Sequence, residues 1–189
     1  MSVMTRRWPG GAGVTLPGTR PWSVLVTETE VVGPGEEPGS LLALVERARA
    51  LRRRAYAPYS GFHVGAVVVT VSGATFEGVN VENVSYRLTT CAEQTALAGM
   101  CAAGGREEVV TVVVAGDGDD PCTPCGACRQ TIAEFGPHAT VHATGARGPV
   151  LSQPIGVLLP DAFTAERLAA DHAGDPAHPP HQEAPRGGA

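Results

Sequence analysis

Two short cysteine motifs constrain this chain more than any other feature: C-A-E at 91–93 and P-C-G-A-C at 124–128. Each motif stands where a loop-like segment gives way to a helical pattern. Cys125 and Cys128 are three residues apart, so one helical turn presents both sulfurs on the same side. Cys91 and Glu93 would diverge inside a regular helix. We therefore expect Cys91 at the helix cap if both side chains are to face one site.

The residue types in these motifs are those of a catalytic zinc site. Zinc binds thiolates, and a helix N-terminus favours the thiolate form through its exposed N–H groups and dipole. Three cysteine ligands leave the fourth tetrahedral position free for water, and a neighbouring carboxylate such as Glu93 can then move protons. A lone C-x-x-C also occurs in structural and redox sites, so a structural zinc knot or buried free thiols remain alternatives.

Two further cysteines need a separate interpretation. Cys122 forms a second C-x-x-C with Cys125, and a fourth thiolate would close the metal to water. We expect Cys122 to be a bystander in the loop, because Pro124 separates it from the helix start. Cys101 has no partner motif and is expected to be a core thiol on the back of its helix.

Hydrophobic periodicity predicts an α/β domain. Strands and helices alternate after an initial hairpin, which implies a mixed sheet with helices on both faces. The predicted elements are a helix capped by Ser40 and running to about Leu51, strands at 62–71 and 75–81 around the turn Ser72-Gly73, a helix at about 91–103, a strand at 109–116, a helix at about 125–135 and a strand at 140–145.

Composition divides the chain into three parts. Residues 1–39 contain 12 Gly or Pro and residues 164–189 contain 7, so both are expected to be flexible extensions around a domain at 40–163. A short strand at 23–32 is possible. The net charge of −5, with no lysine, argues against a nucleic-acid surface. No apolar run approaches the ~20 residues of a membrane span and no apolar segment follows the first arginines, so a cytoplasmic protein is expected.

The stretch from Tyr56 to Phe163 resembles the cytidine deaminase family, in its small homotetrameric type with three cysteine ligands. The matching blocks are AYAPYSGFHVGA (55–66), GVNVENVSY (78–86), TTCAEQTAL (89–97), PCGACRQTIAEFG (124–136) and LLPDAF (158–163). The resemblance implies a three-layer α/β/α fold with a mixed five-stranded sheet. It also implies zinc-dependent hydrolysis of cytidine and 2′-deoxycytidine to uridine and 2′-deoxyuridine with release of ammonia, as in pyrimidine salvage.

The same resemblance implies residue roles. One Zn²⁺ per chain would be held by Cys91, Cys125 and Cys128, with Glu93 as the catalytic proton shuttle. The substrate-binding residues that the resemblance implies are Phe62, Asn80, Glu82, Ala92, Thr123 and Phe163. Without it, Asn80 and Glu82 would be interpreted as strand-end caps, Phe62 as core and Phe163 as a terminal anchor.

Within these implied roles, Asn80 and Glu82 bind the ribose, the Thr123 carbonyl lies near the base's amino group, and Phe163 reaches into a neighbouring subunit's site. The last role implies a homotetramer with shared active sites. Tyr59 and Tyr86 are assigned equally to the ribose pocket or subunit contact and to ordinary packing. One departure from the family pattern is Gln94, where many members carry arginine beside the thiolates, while Arg129 is retained.

Two other functions stay open. A deaminase of a cytosine nucleoside antibiotic, of the blasticidin type, would use the same chemistry, although Asn80 and Glu82 favour a plain ribose. A catalytically silent zinc-binding oligomer would have no need of Glu93. Deaminases acting on transfer RNA would need a basic surface and usually carry histidine as their first ligand.

Overall fold

The computed structural model describes residues 39–105 and 107–171. The possible strand at 23–32 and nearly all of the expected N-terminal extension lie outside these residues, as does the tail beyond 171. Each helix in the part of the chain that the structure describes is too short or too polar to span a bilayer.

The centre of the fold is a mixed five-stranded sheet with the order β2-β1-β3-β4-β5. Its strands are β1 (Gly65–Thr70), β2 (Thr75–Val79), β3 (Val109–Ala115), β4 (Thr140–Thr144) and β5 (Leu151–Pro154). β1 pairs antiparallel with both β2 and β3, β3 and β4 run parallel, and β5 returns antiparallel to β4. The predicted hairpin turn is confirmed, since Gly73 adopts a φ of 85°, which glycine tolerates without steric cost.

Helices cover both faces of the sheet, as the sequence predicts. The α-helices of the described residues are α1 (Leu41–Leu51), α2 (Ala92–Ala102), α3 (Gly126–Phe135), the single turn α4 (Ile155–Leu158) and α5 (Ala165–Asp171). The apolar stripe of α1 packs on one face, against Val67 and Val113. α2, α3 and α4 bury their apolar residues on the other face, against Val68 and Val112. Alternate residues of β1 and β3 therefore serve two separate cores, which gives the three-layer α/β/α architecture.

Three elements were not expected from the sequence. β5 is short, largely exposed and ends in Pro154, so it lacks the apolar alternation that marks a strand. α4 follows it directly. α5 lies in the segment expected to be a flexible tail, where Thr164 accepts a hydrogen bond from the Arg167 N–H at 3.3 Å in the manner of an N-cap.

Candidate active site

The two cysteine motifs lie at the N-termini of α2 and α3. Cys91 is the N-cap of α2 and Cys125 is the N-cap of α3, both with extended backbone, and Cys128 follows in the first turn of α3. The prediction that Cys91 precedes helical geometry is confirmed. Two helix N-termini thus direct their exposed N–H groups and positive dipole ends toward the sulfurs, which favours anions there.

The three sulfurs form a compact cluster. The Sγ atoms of Cys91, Cys125 and Cys128 all lie within 4.8 Å of one another. Zinc–sulfur bonds of about 2.3 Å place tetrahedral sulfur ligands about 3.8 Å apart, so the sulfur positions fit a zinc ion with at most a small closure of the cluster. The donor set of three thiols on two helix caps fits this metal, and the cluster could hold one ion.

Cys91 and Cys128 have pKa values that are shifted in opposite directions. The Cys128 thiol donates a hydrogen bond that lowers the pKa of Cys91 to about 7, against the opposing effects of burial and Glu93. The same hydrogen bond, together with burial, raises the pKa of Cys128. A cation bound by all three sulfurs would take the place of these shared protons.

Glu93 stands beside the sulfurs in the first turn of α2. Its side chain is only 4% exposed, and this burial raises its pKa above the ordinary value. A raised pKa keeps a carboxyl group closer to the point where it both takes and gives a proton. A hydrogen bond with Cys128 acts in the opposite direction. Glu93 is the one acidic residue in the first turn of α2.

Backbone pairing joins the C-terminal end of β2 to this cluster. Val81, which lies between Asn80 and Glu82, exchanges two backbone hydrogen bonds with Thr90, at 2.9 and 3.0 Å. Thr90 directly precedes Cys91. The pairing therefore places both predicted ribose-binding residues next to the start of α2, although they lie about ten residues away along the chain.

Both polar atoms of the Asn80 side-chain amide make hydrogen bonds to the backbone. Its Oδ1 accepts a hydrogen bond from the Val64 N–H, and its Nδ2 donates to the Phe62 carbonyl, both at 2.8 Å. The residue is 8% exposed. Asn80 therefore fixes the backbone around Phe62, and one N–H and one lone pair stay available for a ligand.

Glu82 organises the preceding loop. Its carboxylate accepts hydrogen bonds from the Tyr59 N–H at 2.8 Å, the Ser60 N–H at 3.2 Å and the Ser60 hydroxyl. The hydroxyl and the two backbone N–H groups lower the pKa of Glu82. An open pocket of about 210 Å³ lies beside this carboxylate and is lined by Tyr59, Ser60, Glu82, Tyr86 and Thr89.

Phe62 lies against the end of β3. A Cβ added to Gly116 would stand 2.7 Å from the Cβ of Cys122 and 3.1 Å from the Phe62 Cζ, so the backbone of Gly116 contacts both. Phe62 is 44% exposed and is not the core residue that its hydrophobicity alone would suggest. The ring is thus half open to a ligand and within reach of the loop that carries Cys125.

Cys122 lies outside the sulfur cluster and packs against the core near Phe62. Burial, followed by the charges of Glu93, Asp117 and Cys91, raises the pKa of its thiol to about 11. The position of Cys122 outside the cluster agrees with its expected role as a bystander in the loop. Cys101 is exposed, so the expectation of a core thiol is wrong. The core position at this end of α2 belongs to its neighbour Met100.

The other predicted substrate-binding residues have contrasting environments. Ala92 is buried in the first turn of α2, whereas Thr123 is exposed on the loop before α3. Phe163 exposes 58% of its surface, and its carbonyl accepts a hydrogen bond from Gln130 of α3 at 2.7 Å. α3 thus anchors the backbone of Phe163 and leaves the ring free to contact another molecule.

Two residues bear on the charge of the cluster. Gln94 is half-buried in the first turn of α2 and brings no positive charge. Arg129 donates hydrogen bonds to the carbonyls of Pro124 at 2.8 Å and Leu158 at 2.9 Å. Its guanidinium therefore links the loop before Cys125 to α4 and places one positive charge on α3.

Sequence reasoning missed three residues around the site: Ser60, Gly116 and Asp117. Ser60 lies within the block 55–66, and the signal that could have found it is its spacing of two residues from Phe62. Gly116 and Asp117 directly follow the β3 pattern, where loop residues after a buried strand commonly carry function.

Comparison with known proteins shows the family to which this chain belongs. Residues 40–144 match the family model described as the cytidine and deoxycytidylate deaminase zinc-binding region. The chain belongs to this family. The resemblance inferred from the sequence blocks is therefore confirmed, and so are the α/β fold and the zinc cofactor that the family implies.

Individual members of the family support the assignment. A cytidine deaminase of Halalkalibacterium halodurans is 44% identical over 126 residues, which cover 66% of this chain and 95% of that protein. The crystal structure of cytidine deaminase from Burkholderia pseudomallei matches at 49% identity with a TM-score of 0.63, covering 66% of this chain and 99% of the other. The crystal structure of cytidine deaminase from Mycobacterium tuberculosis matches at 36% identity with a TM-score of 0.57, covering 64% of this chain and 94% of the other.

Proposed function

We propose that this chain is a zinc-dependent deaminase that hydrolyses cytidine and 2′-deoxycytidine to the uracil nucleosides and ammonia. The observation that carries the proposal is the joint placement of three thiols and a buried carboxylate at two helix N-termini. Cys91, Cys125 and Cys128 would hold the zinc. Zinc bound there would supply a Lewis acid that activates the reacting water.

Glu93 is the proton carrier in this proposal. Its carboxylate takes a proton from the attacking water and delivers it to N3 of the cytosine ring. It then transfers the second proton to the amino group, which leaves as ammonia while a carbonyl forms at C4. Burial at 4% exposure supports the role, because a desolvated carboxyl releases and regains a proton more readily near neutral pH.

The nucleoside would be held by groups around the end of β2. The free capacity of the Asn80 amide and the carboxylate of Glu82 suit ribose hydroxyls, while the half-exposed ring of Phe62 suits the flat faces of a base or sugar. The Thr123 carbonyl and the backbone of Ala92 complete the set of proposed contacts. No phosphate-binding group enters this set, so a nucleoside is preferred over a nucleotide.

Loss of ultraviolet absorbance tests the proposal directly. Purified protein should convert cytidine and 2′-deoxycytidine and leave CMP, free cytosine and adenosine nearly unchanged. Faster conversion of CMP than of cytidine would refute the nucleoside assignment. Conversion of blasticidin S in preference to cytidine would instead indicate the antibiotic-type enzyme, and conversion of none would indicate a silent zinc protein.

A homotetramer with shared active sites is the proposed assembly. Phe163 has an anchored backbone and an exposed ring, and the segment 84–88 presents further apolar side chains. Val84, Tyr86 and Leu88 are 77%, 75% and 65% exposed, which is typical of a surface that another chain covers. Light scattering tests the state, and a fully active monomer would overturn it. The cytoplasmic location, the absence of nucleic-acid binding, the place in pyrimidine salvage and the domain limits of 40–163 stay predictions of the sequence.

A further inference from the structure

A cluster of charged residues contacts the backbone next to Phe62. Asp117 directly follows Gly116 at the end of β3, and its Oδ1 accepts a hydrogen bond from the Arg52 guanidinium at 2.9 Å. Its Oδ2 accepts the backbone N–H of His63 at 2.7 Å and lies 2.8 Å from the His63 Nδ1. Because an ionised carboxylate can only accept, His63 carries a proton on Nδ1 in this arrangement.

Two side chains, those of Asn80 and Asp117, thus make hydrogen bonds to the backbone at Phe62. Asn80 binds the Phe62 carbonyl and the Val64 N–H, while Asp117 binds the His63 N–H between them. The Phe62 N–H is held in turn by the Ser60 hydroxyl at 3.0 Å. Four backbone hydrogen-bonding groups between Phe62 and Val64 are therefore fixed, although Phe62 is in a loop.

The ring of Phe62 is positioned by the same short segment. Its Cζ lies next to the backbone of Gly116, where even a Cβ would approach to 3.1 Å. Gly116 therefore supplies the contact surface for the ring, and Asp117 supplies the acceptor for the next backbone N–H. The two consecutive residues set both the position of the ring and the direction of the backbone that carries it.

We propose that Asp117 is a positioning residue for substrate binding, which acts by holding Phe62 in place through His63 and is itself oriented by Arg52. The inference rests on the proposed function, since it assigns Phe62 to the nucleoside pocket. Asp117 contacts no reacting atom in this proposal. Its effect therefore falls on nucleoside affinity and leaves zinc binding and proton transfer in place.

The electrostatic environment favours the ionised form of Asp117. Partial burial opposes ionisation, but hydrogen bonds from the backbone and ring of His63, and the positive charge of Arg52, together lower the pKa of Asp117. Arg52 is itself held by the carbonyls of Gly116 at 2.9 Å and Arg49 at 3.2 Å. The carboxylate is thus fixed by Arg52, which directly follows α1, and by His63, which lies two residues before β1.

Steady-state kinetics on cytidine provide the test, with Asp117→Asn and Asp117→Ala as variants. Asp119→Asn is the matched control, because Asp119 is two residues away and, within the described part of the chain, its carboxylate makes an exposed ion pair with Arg147 at 3.5 Å. We expect KM to rise about tenfold or more in Asp117→Ala, as for the loss of a charge-assisted hydrogen bond. The kcat and the zinc content should stay within about threefold of the wild type. Equal KM values for Asp117→Ala and Asp119→Asn would overturn the proposal.

A double-mutant cycle with Phe62→Ala separates positioning from general destabilisation. If Asp117 acts through Phe62, removing the ring should abolish most of the KM effect of Asp117→Asn. An unchanged KM effect in the Phe62→Ala background would contradict the proposal.

Amide hydrogen exchange gives a readout that does not depend on activity. The His63 amide should exchange at least about tenfold faster in Asp117→Ala, with the Val64 amide protected as before, and Asp119→Asn should change neither. Unchanged exchange at His63 refutes the hydrogen bond itself, even if cytidine is a substrate. A wild-type protein that fails to deaminate cytidine refutes the proposed function and the positioning role with it, whatever the exchange shows.

Discussion

The contact between β2 and α2 yields a sharp prediction for Gly78→Ala. A Cβ at Gly78 would lie 2.2 Å from the Ala92 carbonyl oxygen and 2.4 Å from the Ala96 nitrogen. Both are backbone atoms of α2, so no side-chain rotation can relieve the clash. The strand and the helix must separate by about 0.8 Å or more before the Cβ reaches an acceptable contact.

The magnitude follows from packing energies. Overpacking a close-packed site typically costs about 1–3 kcal/mol, and backbone contacts lie at the upper end because they are the least compliant. The reduced entropy of the unfolded chain returns about 0.4–1 kcal/mol of this. We expect Gly78→Ala to lower the free energy of unfolding by about 1–2.5 kcal/mol. Activity should fall as well, because Ala92 lies between Cys91 and Glu93.

Gly99→Ala is the matched control for this change. Gly99 lies in α2, the helix against which Gly78 packs, and a Cβ at Gly99 would meet nothing within 4 Å. The substitution should stabilise the protein by about 1 kcal/mol through helix propensity alone. Urea unfolding followed by far-ultraviolet circular dichroism measures both variants. A Gly78→Ala protein as stable and as active as Gly99→Ala would refute the packing argument.

Further predictions concern the metal, the subunit contact and acid stability. Cys122→Ala should keep about one zinc per chain by elemental analysis and Cys128→Ala should lose it; the reverse would contradict the ligand assignment. Chelation of zinc should lower the midpoint of thermal unfolding, because a ligand bound only to the native state stabilises it. An unchanged midpoint would indicate no bound metal. Phe163→Ala should raise KM for cytidine, and an unchanged KM would exclude its ring from the pocket. Asp117 has a lowered pKa in the folded state, so its stabilisation is present above the unfolded value of 3.8 and is lost as pH falls through the folded pKa. The free energy of unfolding of Asp117→Asn should therefore fall less at acid pH than that of the wild type. Urea unfolding at several pH values measures this, and an equal fall in both proteins would refute the prediction.

Local sequence rules were sufficient to predict that the three cysteines of the metal cluster lie at helix N-termini. The placement of Cys91 at a cap follows from the incompatibility of i and i+2 side chains on one helical face, and the structure has it there. The hairpin at Gly73 follows from turn chemistry, and the two-sided burial of β1 follows from its continuous apolar run. Each of these features is decided by residues within one turn or one strand.

Features that depend on distant residues were not accessible in the same way. The loop at Phe62 is held by Asp117, which lies 54 residues beyond His63, and no local pattern links the two. The sequence of β5 carries no strand alternation. Its strand conformation goes with its antiparallel pairing to the edge of β4, which no local pattern predicts. Cys101 was misassigned because one residue on a helix corresponds to a rotation of about 100°, enough to move it from core to solvent.

The measurement that tests the account most directly is the comparison of wild type with Glu93→Gln for both bound zinc and cytidine turnover. The carboxamide preserves the size of the side chain and removes its capacity to carry a proton. The variant should therefore retain about one zinc per chain and lose turnover by at least about 10²–10⁴-fold. Loss of zinc with little loss of turnover, or full turnover by Glu93→Gln, would contradict a thiolate-bound zinc served by Glu93.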